Sequence, residues 1–253
     1  MTARFVIIEE IGGTDMTDQF SRTRMLLGER NMEKLARARV AVIGLGGVGS
    51  YVLEALVRGG VGAFVLVDGD TLALTNLNRQ ILALHSTLGL PKTEAAASRA
   101  RDINPAVELR CLDSFVTAQD VEKLPLEDCD YIVDAIDTVS TKIALVLRAR
   151  ELAVPIIASM GTGNRLDPAA LRVADLAETA NDPLARVMRK ELRRRGVEHL
   201  KVLCSSELPH VEEEGKETKG DPPRPVPGSV SFVPAAAGLL IASEVIRELC
   251  ERE

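Results

Sequence analysis

Residues 44–49 read Gly44-Leu45-Gly46-Gly47-Val48-Gly49. They stand between a short apolar, β-branched run at 39–43 and a stretch with helical character at 50–58. A strand that turns into a helix through closely spaced glycines has few alternatives in folding. The glycines let backbone approach a phosphate, and the helix N-terminus behind them offers unpaired N–H groups and a favourable dipole. A second apolar run at 63–67 ends in Asp68, about twenty residues beyond the loop, where a carboxylate can hold ribose hydroxyls. The loop therefore predicts a bound nucleotide. It does not by itself distinguish NAD, FAD and ATP.

The rest of the chain repeats the strand–helix alternation. Helical character returns at 92–103, with Pro91 at a first-turn position, and at 140–152. Buried strands are expected at 107–111, 131–133 and 155–159. This alternation predicts an α/β fold, a doubly wound Rossmann-like parallel sheet covered on both faces. The pattern changes at 161, and residues 161–253 form a C-terminal extension of mixed strands and helices. The extension should hold a basic amphipathic helix at 183–195 and a strand at 200–204. A charged, Pro-rich mobile loop at 210–228, a strand-like run at 229–233 and a closing helix at 235–249 should follow. Residues 1–19 lack periodicity and break at Gly12-Gly13-Thr14-Asp15 ahead of Met16, so a flexible tail is expected, with either Met1 or Met16 as the start. One domain, 20–253, follows, with its nucleotide-binding core at 20–160.

Composition narrows the function classes. With 31 Lys and Arg against 37 Asp and Glu, the net charge is −6. A general polyanion binder would be basic, so any nucleic-acid contact must come from a local patch. There are no Trp, 2 Tyr and 5 Phe, which argues against a base-stacking platform. Cys111, Cys129, Cys204 and Cys250 show no C-x-x-C spacing, so no zinc is expected and reduced thiols in a cytoplasmic setting are. Neither a signal peptide nor a membrane span is legible.

The residues after Asp68 point away from a dehydrogenase. Asp68-Gly69-Asp70 leads to Asn76, Arg79, Gln80 and then Lys92, so two cations and two amides surround the expected nucleotide. A triphosphate needs such cations, Arg as a bidentate fork and Lys as a movable point charge. Asp137 follows the strand at 131–133 and should reach the crevice at the carboxyl ends of the strands. A carboxylate there suits Mg²⁺ bridging phosphates, or serves as the N-cap of the next helix. In the extension, Arg186, Arg189, Lys190, Arg193, Arg194 and Arg195 lie opposite Leu184, Met188 and Leu192. That helix face is either a phosphate-backbone contact or an ordinary solvated surface. Cys204 could serve as a thioester nucleophile, although free cysteines are more often buried and inert.

Taken together, these residues resemble the ubiquitin-activating-enzyme-like (E1-like) superfamily of ATP-dependent adenylating proteins. The match runs from Phe20 to Ser159: Arg22, the glycine loop, Asp68-Gly69-Asp70, Asn76 to Gln80, Lys92 and Asp137. The resemblance implies that Asp68 holds ribose, that Asn76, Arg79 and Lys92, beside Asp70 and Gln80, bind the triphosphate, and that Asp137 binds Mg²⁺. It also implies that Arg22 reaches the nucleotide of a neighbouring subunit in a homodimer. Within the superfamily, the chain resembles the tRNA-modifying branch over nearly its whole length. The carrying segments are 20–28, 85–87, 159–168, 183–193, 227–229 and 232–234. That branch implies ATP-dependent cyclisation of a threonylcarbamoyl-modified adenosine through adenylation of its carboxylate, with tRNA as partner. A sulfur-transfer protein is a further conceivable partner. Two rivals are an activator of a ubiquitin-like sulfur carrier, weakened by the missing zinc cysteines, and a non-catalytic nucleotide-binding scaffold.

Overall fold

The fold is known from a computed structural model that describes residues 17–210, 218–219, 224–225 and 227–252. Most of the expected tail 1–19 and most of the expected mobile loop 210–228 lie outside the described residues. The first described elements are two short helices, α1 (Ser21–Leu27) and α2 (Glu29–Arg37), which lead into β1 (Arg39–Ile43). The order continues α3 (Gly49–Gly59), β2 (Ala63–Asp68), α4 (Lys92–Ile103), β3 (Glu108–Asp113), β4 (Tyr131–Asp134), α5 (Val139–Glu151) and β5 (Ile156–Ser159). The extension adds β6 (Leu171–Asp175), α6 (Pro183–Arg193), β7 (Lys201–Ser205), two antiparallel two-residue strands (Thr218–Lys219 and Arg224–Pro225) and the long α7 (Phe232–Glu251).

Seven strands form one sheet in the order β3-β2-β1-β4-β5-β7-β6. All neighbours pair in parallel except β6, which runs antiparallel to β7 at the edge. The period-two alternation of a strand sends neighbouring residues to opposite faces. Val40, Val42, Phe64 and Leu66 therefore join one core with residues of α3, α4 and α7. Ala41, Ile43, Val65 and Val67 join another with Leu145 and Ala149 of α5. A third cluster, Ala158 and Val202 with Met188 and Leu192, seats α6 on the extension side. Strand order reverses between β1 and β4, and crevices for ligands open at the carboxyl ends of strands at such a point.

Three expectations are corrected. The strand at 107–111 was expected to be buried. β3 instead has a mostly exposed pattern, because it is an edge strand paired only with β2. The strand-like run at 229–233 is not a strand, since α7 already begins at Phe232. Pro234 falls in its first turn, where a missing N–H costs no helical bond. The Gly- and Pro-rich stretch from 161 conceals a further strand, β6, whose pairing with β7 lies 26 or more residues downstream.

Candidate active site

The first βα turn shows why glycines stand where they do. Gly44 has φ +92°, and a Cβ on it would come within 2.8 Å of the Ala135 carbonyl oxygen. A Cβ on Gly49 would lie 1.8 Å from the Gly44 carbonyl oxygen. Neither position admits another residue without moving the loop. The turn is tied to the second strand, for the Leu45 amide donates to Asp68 Oδ2 at 2.7 Å and Gly44 N to the Val67 carbonyl at 2.8 Å.

A cavity of about 540 Å³ opens over this turn. The sequence-derived site residues Gly44, Gly46, Gly47, Asp68 and Asp70 line it, as do Asn76, Arg79, Gln80, Lys92 and Asp137. Gly49 is not a wall residue; it lets the turn close. Arg22 is exposed on α1 and lies outside the cavity. Residues from three connections, β1–α3, β2–α4 and β4–α5, thus meet at the switch point between β1 and β4.

Several of these side chains are already held by the protein. Asp68 Oδ1 accepts the Asp70 amide at 2.8 Å, so each Asp68 oxygen has one backbone donor. Each carboxylate oxygen still has a lone pair for a ligand hydroxyl. Lys92 is buried, with its Nζ 2.7 Å from Asp70 Oδ2 and 3.6 Å from Asp68 Oδ1. Its ammonium thus rests on the two carboxylates of the turn after β2 and is not free in the cavity. Arg79 donates to the Thr75 carbonyl and to Asn78 Oδ1, both at 3.0 Å. Asn76 Oδ1 accepts the Ala73 amide at 3.0 Å, which fixes its short helical turn. Gln80 Oε1 is buried and has no partner among the described residues. An unmet acceptor in a cavity wall costs free energy until a ligand or water donor arrives.

Asp137 is exposed at the cavity wall, and among the described residues its Oδ1 accepts only the Thr138 hydroxyl, at 3.4 Å. The N-cap alternative fails. Thr138 occupies the N-cap of α5, and no side chain caps that helix. The loop that carries Asp137 rests on a pair the sequence reading missed. Asp134 and Lys142 are fully buried, 3.0 Å apart. A Lys at the fourth position of a helix looked like any solvated lysine.

The far wall belongs to the extension: Met160, Gly161, Thr162 and Gly163 after β5, with Pro227 and Ser229 opposite. Asn164, at φ +56°, ties the two sides together. Its amide donates to the Gly228 carbonyl at 2.8 Å, and its Oδ1 accepts the Gly228 amide at 2.6 Å. Leu184 of α6 also reaches the cavity. Asp182, the N-cap of α6, accepts Ala185 N and Gly161 N, each at 3.0 Å, and so joins the basic helix to this wall.

The expected basic face divides. Met188 and Leu192 are buried as their spacing predicted. Arg186, Lys190 and Arg193 are exposed and have no ion-pair partner among the described residues. Arg189 departs from the expectation of a tRNA contact. It turns back to donate to the Thr179 carbonyl at 3.0 Å and hydroxyl at 2.9 Å. Arg194 and Arg195 both pair with Glu191 at 2.9 Å. Cys204 is buried on β7, outside the cavity, where burial pushes its thiol above the ordinary range. That does not favour the thioester alternative.

The model of the ThiF family matches residues 20–253. The chain belongs to the ThiF family. Among its relatives in that family, the tRNA threonylcarbamoyladenosine dehydratase of Bacillus subtilis is 40% identical over 92% of this chain and 95% of its own length. The Escherichia coli enzyme of that name is 42% identical over 69% of this chain and 65% of its own length. The crystal structure of E. coli tRNA N6-threonylcarbamoyladenosine dehydratase in complex with ATP superposes with a TM-score of 0.82. It is 34% identical and covers 91% of this chain and 93% of that one. ThiF membership accounts for the doubly wound sheet and for the glycine loop at its switch point.

Proposed function

We propose that this protein is an ATP-dependent dehydratase that cyclises N6-threonylcarbamoyladenosine in tRNA. The observation that carries this reading is the likeness to a dehydratase of that name across 92% of the chain, extension included. A likeness confined to the nucleotide core would have supported only ATP chemistry. ATP is the nucleotide this reading requires, and the related structure holds ATP.

The chemistry needs little from the protein beyond placement. The threonyl carboxylate attacks the α-phosphorus of ATP, the α–β bridging bond breaks, and pyrophosphate leaves. A nitrogen or oxygen of the substrate's own carbamoyl group then attacks the acyl carbon. AMP leaves, a proton is lost, and the modified base has shed the elements of one water. Intramolecular attack of this kind reaches effective molarities of roughly 10⁵–10⁸ M when well oriented, so no protein nucleophile is needed.

The geometry supports the following roles. The glycine loop and the α3 N-terminus offer backbone N–H groups to phosphate. Asp68 takes the ribose hydroxyls. Arg79, Asn76 and Gln80 line the path of the triphosphate, and Lys92, held on Asp70, adds positive charge at the wall. Asp137 suits Mg²⁺, because that ion is commonly held by one or two carboxylates plus substrate phosphates. Mg²⁺ bound there would neutralise charge developing on the leaving pyrophosphate. The exposed Arg186, Lys190 and Arg193 would hold the tRNA backbone. A homodimer belongs to this reading: Met25 and Leu26 of α1 are each 86% exposed beside Arg22, and a second subunit would cover them. The cytoplasmic setting does too, and all four cysteines are free thiols.

The test is nucleoside mass spectrometry of tRNA carrying the modified adenosine after incubation with the protein and Mg-ATP. The expected result is loss of one water from that nucleoside, dependent on ATP. An unchanged nucleoside under conditions where the protein binds ATP would overturn the tRNA assignment and leave the nucleotide site standing.

A further inference from the structure

The Asp134–Lys142 pair does more than fill the core. Both side chains have 0% exposure, although Asp134 ends a strand whose other residues are apolar. Burying two charges is costly, and a well-packed apolar pair of similar volume would serve stability as well or better. The bonds the pair makes indicate what it gains. Asp134 Oδ1 accepts the Ile136 amide at 3.3 Å. Lys142 Nζ donates to the Ile136 carbonyl at 3.1 Å while facing Asp134 Oδ2 at 3.0 Å.

The pair therefore grips Ile136 by its N–H and by its C=O. The Ile136 carbonyl belongs to the same planar peptide as the Asp137 nitrogen, so anchoring that oxygen fixes the plane from which Asp137 departs. The loop is also fixed from the nucleotide side. The Ala135 amide donates to the Ile43 carbonyl at 2.8 Å, and the Ala135 carbonyl presses on Gly44. Asp137 itself is exposed, and among the described residues its side chain makes only the 3.4 Å contact with Thr138. Its placement comes from the backbone beneath it, not from its own side-chain bonds.

We propose that Asp134 and Lys142 are positioning residues that preset the Asp137 carboxylate toward the phosphate end of the cavity before nucleotide arrives. The inference rests on the reading of Asp137 as the group that meets Mg²⁺ and phosphate. Neither residue touches the nucleotide. Outer partners of this kind tune metal affinity through the orientation of the ligand they support.

The test separates positioning from stability. A single replacement strands a buried charge and is expected to destabilise the fold. The double variant Asp134→Leu/Lys142→Met removes both charges and is expected to melt near the wild-type temperature. ATP binding is then followed by calorimetry across a Mg²⁺ titration. The Mg²⁺ concentration that half-saturates tight ATP binding is expected to rise about tenfold or more, with ATP affinity in EDTA unchanged. A folded double variant that needs no more Mg²⁺ than wild type would overturn the inference.

Wild-type protein gives a second reading that needs no variant. The Ile136 amide should exchange as slowly as the β4 amides without nucleotide. Fast exchange that slows only with Mg-ATP would overturn presetting. Asp137→Ala supplies the control. If it keeps its Mg²⁺-dependent gain in ATP affinity, the Asp137 reading fails and takes this inference with it. If it loses that gain while the double variant does not, the positioning inference fails alone.

Discussion

The two halves of the sheet reach the same cavity by different means. On the β1–β4 side, the glycine turn, Asp68 and Asp137 lie within a few positions of a strand end, while Asn76, Arg79, Gln80 and Lys92 lie on or just past the long β2–α4 connection. Gly44 and Gly49 close one turn, Asp68 ties it to the next strand, and Ala135 packs under both. On the extension side, the wall is built from pieces far apart in sequence. Asn164 grips Gly228, and Asp182 grips Gly161. The first half is held mainly by local geometry at the glycine turn. The second depends on side-chain bonds over long loops, whose closure entropy must be met by tertiary contacts. The lesson is a difference in construction: backbone geometry at the glycine turn sets the first wall, and side-chain bonds between distant segments set the second.

That contrast can be broken at either end. The largest effect is expected for Asp137→Ala, which should lower ATP-dependent turnover by about two orders of magnitude or more. Its melting temperature should stay near wild type, because the side chain is exposed. Normal turnover would remove Asp137 from the metal role. Next in size is Gly49→Ala, whose Cβ would meet a carbonyl oxygen at 1.8 Å. It should cost about 2–4 kcal/mol in urea unfolding and weaken ATP binding. A variant as stable as wild type would show the turn to be looser than argued.

In the extension, Arg186→Ala/Lys190→Ala/Arg193→Ala should weaken tRNA binding and flatten its log–log salt slope by about two to three. Arg189→Ala should leave that slope alone, because Arg189 faces Thr179. An equal change in slope from Arg189 would place it among the phosphate contacts after all. Asp182→Ala should cost about 1–2 kcal/mol through its lost N-cap and its lost bond to Gly161. It should reduce turnover of tRNA more than ATP affinity, and the reverse ranking would contradict the contrast between the halves. The smallest effect concerns the thiols. Burial raises the Cys111, Cys129 and Cys204 thiols alike, Cys129 up to about 11, but Cys111 is exposed while the other two are buried. At pH 8 a maleimide should label Cys111 well before either, and early labelling of Cys204 would reopen its candidacy as a nucleophile.

Much of the first half was legible before any coordinates. Gly44 to Gly49, Asp68 and Asp137 sit at or beside strand ends, and a strand end can be read from hydrophobic periodicity over a few residues. Asn76, Arg79 and Lys92 lie on or just past the β2–α4 connection and were legible from residue type, as amide and cations following the acidic strand end. The same reading missed β6, because an antiparallel edge strand between Pro168 and Leu176 has no partner nearby in sequence. It mistook residues 229–233 for a strand, because five residues with two β-branched members do not reveal that α7 starts among them. Arg189 shows the limit for side chains. Six cations on one helix look equivalent in sequence, yet one folds back on Thr179 and two pair with Glu191.

The sequence by itself determined the fold class, the phosphate-binding turn and the acidic and basic residues that surround it. It could do so because backbone sterics at glycine and the periods of strand and helix are local properties. Only the tertiary structure decided which cations remain free, that Lys92 rests on Asp70 and that Asp137 stands on a buried Asp134–Lys142 pair. Those outcomes depend on desolvation and on partners brought together by the sheet. Charge and burial balance only after distant segments have met.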